Sequence, residues 1–268
     1  MSKKLAITGG SRGIGRGIVR RMAKEGYDIA FTYSSERGKA QAEALVEEVT
    51  EKYAVKCFMH QFALNEKGTA EEFVRTAYDE LGGLDLLICN AGQSLVNSIY
   101  EMDEKTIDFL INLDFRSYLM AAREAGRIMG ENNIKGNIIF ISSCRGIRAF
   151  PYDELYGGLK AGLIRAIQTF ALDLAPYGIR ANCVSPGPIR VRTSEEMREE
   201  GVCEQEIEEY WIVDWRKKTV EIYELDYEGE IPKYYLLKTI TEENKDELHL
   251  IHFPQIKITF DELFEEID

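Results

Sequence analysis

Six short apolar runs separated by stretches of helical spacing constrain this chain more than any other feature. KLAIT (4–8), DIAFTY (28–33), AVKCFM (54–59), LDLLIC (84–89), GNIIFIS (136–142) and IRANCVS (179–185) read as strands. Helical patterns over 13–25, 36–52, 69–81, 103–130 and 153–176 lie between them. Parallel strands need long crossovers and helices supply them, so the alternation predicts an α/β fold with a parallel sheet covered on both faces. Right-handed crossovers make that sheet doubly wound, with a ligand crevice at the carboxyl ends of its strands.

The rhythm changes after Ser194. YWIVDW, TVEIYEL and KYYLLKTI follow one another as strands of a meander, and QIKITF sets Ile256, Ile258 and Phe260 on one face with period two. FDELFEEI closes the chain with Phe260, Leu263, Phe264 and Ile267 on one helical stripe. Charge changes at the same place. Residues 1–197 carry 25 basic and 25 acidic side chains, whereas 198–268 carry 8 and 21, the whole net charge of −13. The expected division is therefore an α/β domain over 1–197 and an acidic, strand-rich segment over 198–268, with a solvated acidic face on one domain as the plainer alternative. So acidic a tail argues against nucleic acid as a partner.

No apolar run reaches the ~20 residues that span a bilayer, and the first residues carry no secretory pattern, so the expectation is a cytoplasmic protein without a membrane partner. The five cysteines, Cys57, Cys89, Cys144, Cys183 and Cys203, are scattered and form no CxxC pair. That suits reduced thiols, and no metal site is expected.

TGGSRGIG follows the first strand and opens the first helix, with Gly9, Gly13 and Gly15 at the turn. Glycines let the backbone approach a pyrophosphate, and the helix start offers free amides with a partial positive charge. A tight turn without a ligand is the plainer reading. Tyr156 and Lys160 stand four apart in YGGLK, so both emerge on one helix face. A phenol titrates near ~10, and an adjacent ammonium favours its ionised form, so such a pair can exchange a proton with an alkoxide. An ordinary helix surface shows the same spacing.

The combination is what carries weight. TGGSRGIG, CNAG (89–92), Asn112, ISSCRG with Ser143 thirteen residues before Tyr156, YGGLK and SPGPI (185–189) occur in one order. Over residues 1–197 this resembles the short-chain dehydrogenase/reductase family, most closely its 3-oxoacyl-[acyl-carrier-protein] reductase group. The resemblance implies a Rossmann-type sheet of strand order 3-2-1-4-5-6. It implies Tyr156 as general acid/base, Lys160 as the residue that holds the nicotinamide ribose and lowers the tyrosine's pKa, and Ser143 as donor to the substrate carbonyl. Asn112 would position a water in the proton relay, or merely satisfy helix backbone; Ser142 is an alternative to Ser143, which the thirteen-residue spacing favours. Cofactor contacts fall to Gly9, Ser11, Arg12, Gly13, Ile14 and Gly15, to Asn90, Ala91 and Gly92 under the adenine-side ribose, to Pro186, Gly187 and Ile189 along the nicotinamide, and to Tyr156 and Lys160.

The second strand ends in FTYSSER, without the carboxylate that accepts from a free ribose 2′-hydroxyl, while Arg12 and Arg37 suit a 2′-phosphate. NADP(H) is therefore the expected cofactor, with NAD(H) possible. The expected function is reduction of a ketone, such as a 3-oxoacyl thioester or another small carbonyl compound, by hydride transfer with Tyr156 donating the proton. The resemblance also implies a homo-oligomer, a dimer or tetramer associating through the helices of 103–130 and 153–176. The family's closing helix and Gly-rich seventh strand are not recognisable after Met197, and the tail holds only Gly201 and Gly229. That tail, through EYWIVD and ITFDELF, is similar to the C-terminal part of a family of restriction-endonuclease-like proteins, without the metal-binding residues of a nuclease. Two readings follow: a fusion of two coding segments, or a divergent reductase whose end was rebuilt as a cap. The rival function is a dinucleotide-binding protein with little turnover, or one whose acidic tail serves partner binding.

Overall fold

The computed structural model describes residues 2–95, 97–187, 189, 209–214, 218–226, 233–249 and 259–264. The chain divides into two compact units, residues 1–191 and 192–268.

In the first unit, β1 (Lys4–Ile7), β2 (Asp28–Tyr33), β3 (Cys57–Gln61), β4 (Leu86–Cys89), β5 (Asn137–Ile141) and β6 (Arg180–Val184) pair in parallel in the order β3-β2-β1-β4-β5-β6. This is the expected doubly wound, Rossmann-type sheet. Its strands alternate between two cores. Ala6, Ala30, Leu87, Ile138 and Phe140 point into the one that includes Phe73, Tyr118, Leu163 and Ile167. Leu5, Ile7, Ile29, Phe31 and Ile88 meet Val19, Ala23, Leu45 and Val49 on the other face. The central strands therefore bury both faces, which is why they read as unbroken apolar runs.

The helices are α1 (Gly13–Lys24), α2 (Glu36–Tyr53), α3 (Thr69–Leu81), α4 (Glu104–Ile111), α5 (Ser117–Glu131) and α6 (Glu154–Leu174). Ser35 caps α2 by accepting from the Gly38 N–H at 3.2 Å, and Asp103 caps α4 by accepting from the Thr106 N–H at 2.7 Å. No described helix is long and apolar enough to cross a membrane.

One expected element is corrected: the strand expected over 54–59 runs instead over Cys57–Gln61, because Ala54 closes α2 in a left-handed conformation at φ 51° and Val55 is spent on the connection. The helix expected over 103–130 runs unbroken over 104–131, but α4 and α5 are joined through a π-helical turn, Asn112–Arg116, in which the Ser117 N–H reaches back to the Asn112 carbonyl. Such turns inside helices are rare and concentrate at functional sites.

In the second unit, β7 (Glu209–Asp214), β8 (Thr219–Asp226) and β9 (Lys233–Ile240) form an antiparallel sheet, and α7 (Phe260–Leu263) lies near the end. Val220, Ile222, Ile240, Leu248, Phe260 and Phe264 make a small core of their own, with the rings of Phe260 and Phe264 4.6 Å apart. The expected strand QIKITF is corrected at its end, where Phe260 begins a helix; residues 255–258 and Ile267 lie outside the described residues.

Candidate active site

The carboxyl ends of β1, β2 and β4 build the glycine turn between them. Gly9 and Gly13 have φ of 69° and 55°, which favours glycine. A Cβ on Gly15 would stand 1.9 Å from the Gly9 carbonyl oxygen, so the helix start and the turn touch backbone to backbone. The frame around them is made of hydroxyls and one amide. Thr8 Oγ1 accepts from the backbone N–H groups of Asn90 and Ala91 at 2.9 and 3.0 Å. Thr32 Oγ1 accepts from the Gly9 N–H at 2.8 Å, and Asn90 Nδ2 donates to the carbonyls of Thr8 and Gly9 at 3.1 and 2.9 Å.

α1 starts at Gly13 with no side chain capping its amides and no acid in its first turn. Ser11 is buried, Arg12 exposed and Ile14 half-buried. Bare amides, a positive helix end and a glycine surface without side-chain bulk suit a dinucleotide pyrophosphate. Among the described residues, no cluster of His, Cys, Asp or Glu is suited to a metal ion.

The second half of the site is assembled by β5, α6 and the π turn. Ser142 and Ser143 separate into two roles. Ser142 is buried and its hydroxyl donates to the Lys160 carbonyl at 2.8 Å, which fixes α6 to β5. The Ser143 hydroxyl accepts from the Arg145 N–H at 3.2 Å and acts to lower the Tyr156 phenol. The Cys144 N–H donates to the Pro186 carbonyl at 2.9 Å, so Pro186 lies beside the residue that follows Ser143. Lys160 is 3% exposed and its Nζ lies 5.4 Å from the Tyr156 ring centroid, 5.0 Å from that of Tyr118 and 3.0 Å from Asp114 Oδ1.

The family described as Enoyl-(Acyl carrier protein) reductase matches residues 9–225. A short-chain dehydrogenase/reductase of Armillaria gallica is 31% identical over 209 residues, 75% of this chain and 78% of that protein. The chain belongs to the short-chain dehydrogenase/reductase family. It is also similar to the 3-oxoacyl-[acyl-carrier-protein] reductase FabG of Staphylococcus epidermidis, at 33% identity over 187 residues covering 70% of this chain and 75% of that one. Among solved structures, a blue fluorescent protein from a metagenomic library in complex with NADPH superposes with a TM-score of 0.67 at 36% identity, covering 72% of this chain and 76% of that one. The match reaches residue 225, beyond the 197 over which the motifs carry the resemblance.

In this short-chain dehydrogenase/reductase, Ser143, Tyr156 and Lys160 come together, and Asn112 opens the π turn beside them. Gly9, Gly13, Gly15, Asn90 and Ala91 meet around the glycine turn, while Gly187 and Ile189 are exposed past the end of β6. The Arg37 side chain lies outside the described residues.

The resemblance implies that Lys160 lowers the Tyr156 phenol; in this structure its surroundings push it up, to about 12. Burial is the largest cause and the Asp114 carboxylate the next; Ser143 pulls the other way, Asp153 raises further and Arg145 lowers. Lys160 does not offset them because its charge is spent on Asp114.

Sequence reasoning passed over five residues that frame the site: Thr8, Thr32, Asp114, Arg145 and Asp153. The threonines stand at strand ends, where a hydroxyl among apolar residues was the available signal. Arg145 and Asp153 form an ion pair at 3.2 Å across the segment that precedes α6, and Arg145 lies over the Phe150 ring at 4.8 Å.

Proposed function

We propose that this chain is an NADPH-dependent reductase of ketones, with a 3-oxoacyl thioester as its substrate. The observation that carries the reading is the meeting of Ser143, Tyr156 and Lys160 at the carboxyl end of β5, with the Lys160 ammonium 5.4 Å from the Tyr156 ring centroid. Bound there, the nicotinamide supplies the hydride. The chain's own residues do the rest. Ser143 orients the carbonyl and stabilises negative charge as it grows on the oxygen. A phenol held protonated by burial is a proton donor over the whole neutral range, and Tyr156 delivers that proton to the oxygen. Asn112 sits where the π turn opens the helix and holds a relay water. Gly9, Ser11, Arg12, Gly13, Ile14 and Gly15 receive the pyrophosphate, Asn90, Ala91 and Gly92 underlie the ribose, and Pro186, Gly187 and Ile189 flank the nicotinamide.

NADP(H) is preferred over NAD(H) because β2 ends in Tyr33, Ser34 and Ser35 with no carboxylate, and the exposed Arg12 is free for a 2′-phosphate. The NADPH complex named for a similar solved structure supports the same choice. The 3-oxoacyl substrate rests on the likeness to FabG. The protein works as a homo-oligomer joined through the helices of 103–130 and 153–176, a reading that rests on membership of the family.

A second reading, a dinucleotide-binding protein with little turnover, is favoured by β6. It is the edge of the parallel sheet, and its Arg180, Asn182 and Val184 are exposed. The tail, with its likeness to a restriction-endonuclease-like family, then derives from a fusion. The test is NADPH and NADH oxidation side by side across 3-oxoacyl thioesters and unrelated ketones. Preference for NADPH of tenfold or more and for the thioesters supports the proposal. Binding of NADPH with no oxidation on any carbonyl compound supports the second reading.

A further inference from the structure

The buried pair Lys160 and Asp114 is unlike the rest of the site. Asp114 is fully buried and Lys160 nearly so, and their 3.0 Å contact joins the π turn to α6. The other carboxylate oxygen, Asp114 Oδ2, accepts from the Gln93 N–H at 3.1 Å. Gly92, just before it, is packed so closely that a Cβ there would lie 2.4 Å from Asp114 Oδ1 and 3.3 Å from Lys160 Nζ. One carboxylate thus touches the CNAG turn on one side and the lysine of the catalytic pair on the other.

We propose that Asp114 is a positioning residue of this site, whose carboxylate fixes the Lys160 ammonium against the turn Asn90–Gln93 and so sets the charge that Tyr156 meets beside it. The proposal rests on the reading of Tyr156 and Lys160 as a reductase pair. Removing one partner of a buried ion pair leaves the other charge uncompensated; here Oδ2 has the backbone amide, while Oδ1, without a hydrogen-bond partner among the described residues, faces the Lys160 ammonium. Every charged or titratable neighbour enters the balance. The Lys160 ammonium lies near the rings of Tyr118 and Tyr156 and pairs with Asp114, Arg145 pairs with Asp153, and Lys160 also acts on Cys183 of β6. Asp114 and Asp153 act to hold the Tyr156 proton, and Ser143 and Arg145 act against it. The turn that would underlie the ribose and the residue that would donate the proton are therefore linked through one side chain.

The test is 13Cζ-tyrosine NMR of the whole, ligand-free chain, with the Tyr156 resonance assigned by Tyr156→Phe. In Asp114→Asn, with Lys160 still protonated, the Tyr156 midpoint falls by on the order of one pH unit relative to wild type. Asp114→Ser also removes the charge, through a smaller side chain, and gives the same shift. An unchanged midpoint in a variant with the wild-type circular dichroism spectrum overturns the proposal. NADPH titration of the same samples separates the two ideas: a wild type that binds no NADPH defeats the reductase reading and leaves the midpoint comparison standing.

Discussion

The Asn90 side chain donates to two successive carbonyls, those of Thr8 and Gly9, at 3.1 and 2.9 Å, and so ties the end of β4 to the glycine turn after β1. The turn is held from behind by a residue on the neighbouring strand. Asn90→Ala leaves both carbonyls without their donor and is expected to lower stability by about 1–3 kcal/mol. NADPH affinity is expected to fall with it. Chemical denaturation and fluorescence titration measure the two; wild-type affinity in the variant would show that the turn keeps its shape unaided.

Two glycines of one helix make opposite predictions. Gly15→Ala pushes a methyl against the Gly9 carbonyl, 1.9 Å from the built Cβ, and neither backbone has room to yield. It is expected to abolish NADPH binding. Gly17 has nothing within 4 Å of its Cβ position, so Gly17→Ala is expected to raise stability by about 0.5–1 kcal/mol through helix propensity and to leave binding untouched. Melting curves of the two variants with and without NADPH check both.

Adjacent serines are expected to separate fold from chemistry. Ser142→Ala removes the bond to the Lys160 carbonyl and is expected to lower stability by about 1 kcal/mol. Ser143→Ala leaves that bond in place and is expected to reduce kcat by about 10²–10³-fold through loss of oxyanion stabilisation. Steady-state kinetics beside urea titration distinguish this pattern from its reverse, which would move the catalytic hydroxyl to Ser142.

Acid sensitivity has a defined source in Asp28, at the start of β2. Burial pushes its carboxyl up, but hydrogen bonds from Lys4, from Ser2 and from the Lys56 N–H outweigh it and hold the value at about 2, against 3.8 unperturbed. The folded value lies below the unfolded one, so the ionised form stabilises the fold. That contribution, about 2 kcal/mol, is complete above the unfolded value and is lost as pH falls through about 2. Asp28→Asn is expected to flatten the stability profile between about pH 4 and 2, as followed by urea midpoints across that range.

What the sequence showed and what it hid follow from the same physics. The central strands β1, β2, β4 and β5 were legible because both faces are buried and their residues are mostly apolar. β3 was misplaced because an edge strand tolerates His60 and Gln61, while the apolar Val55 lies buried in the turn before it. The motif residues were legible because the glycine turn and the YGGLK spacing each have a direct physical reading. The π turn was hidden because one extra residue in a long helix barely alters an apolar stripe. Asp114 was hidden by the same helix: an acid in a helical run reads as surface, and only the fold turns it inward onto Lys160.

The central claim is that Tyr156 delivers the proton in an NADPH-dependent reduction. The most direct measurement is oxidation of NADPH by the purified chain on addition of a 3-oxoacyl thioester, wild type against Tyr156→Phe, after fluorescence titration has established equal NADPH binding in both. The expected result is turnover by the wild type and a loss of about 10²–10⁴-fold in the variant. Equal turnover in the two chains would contradict the assignment of Tyr156.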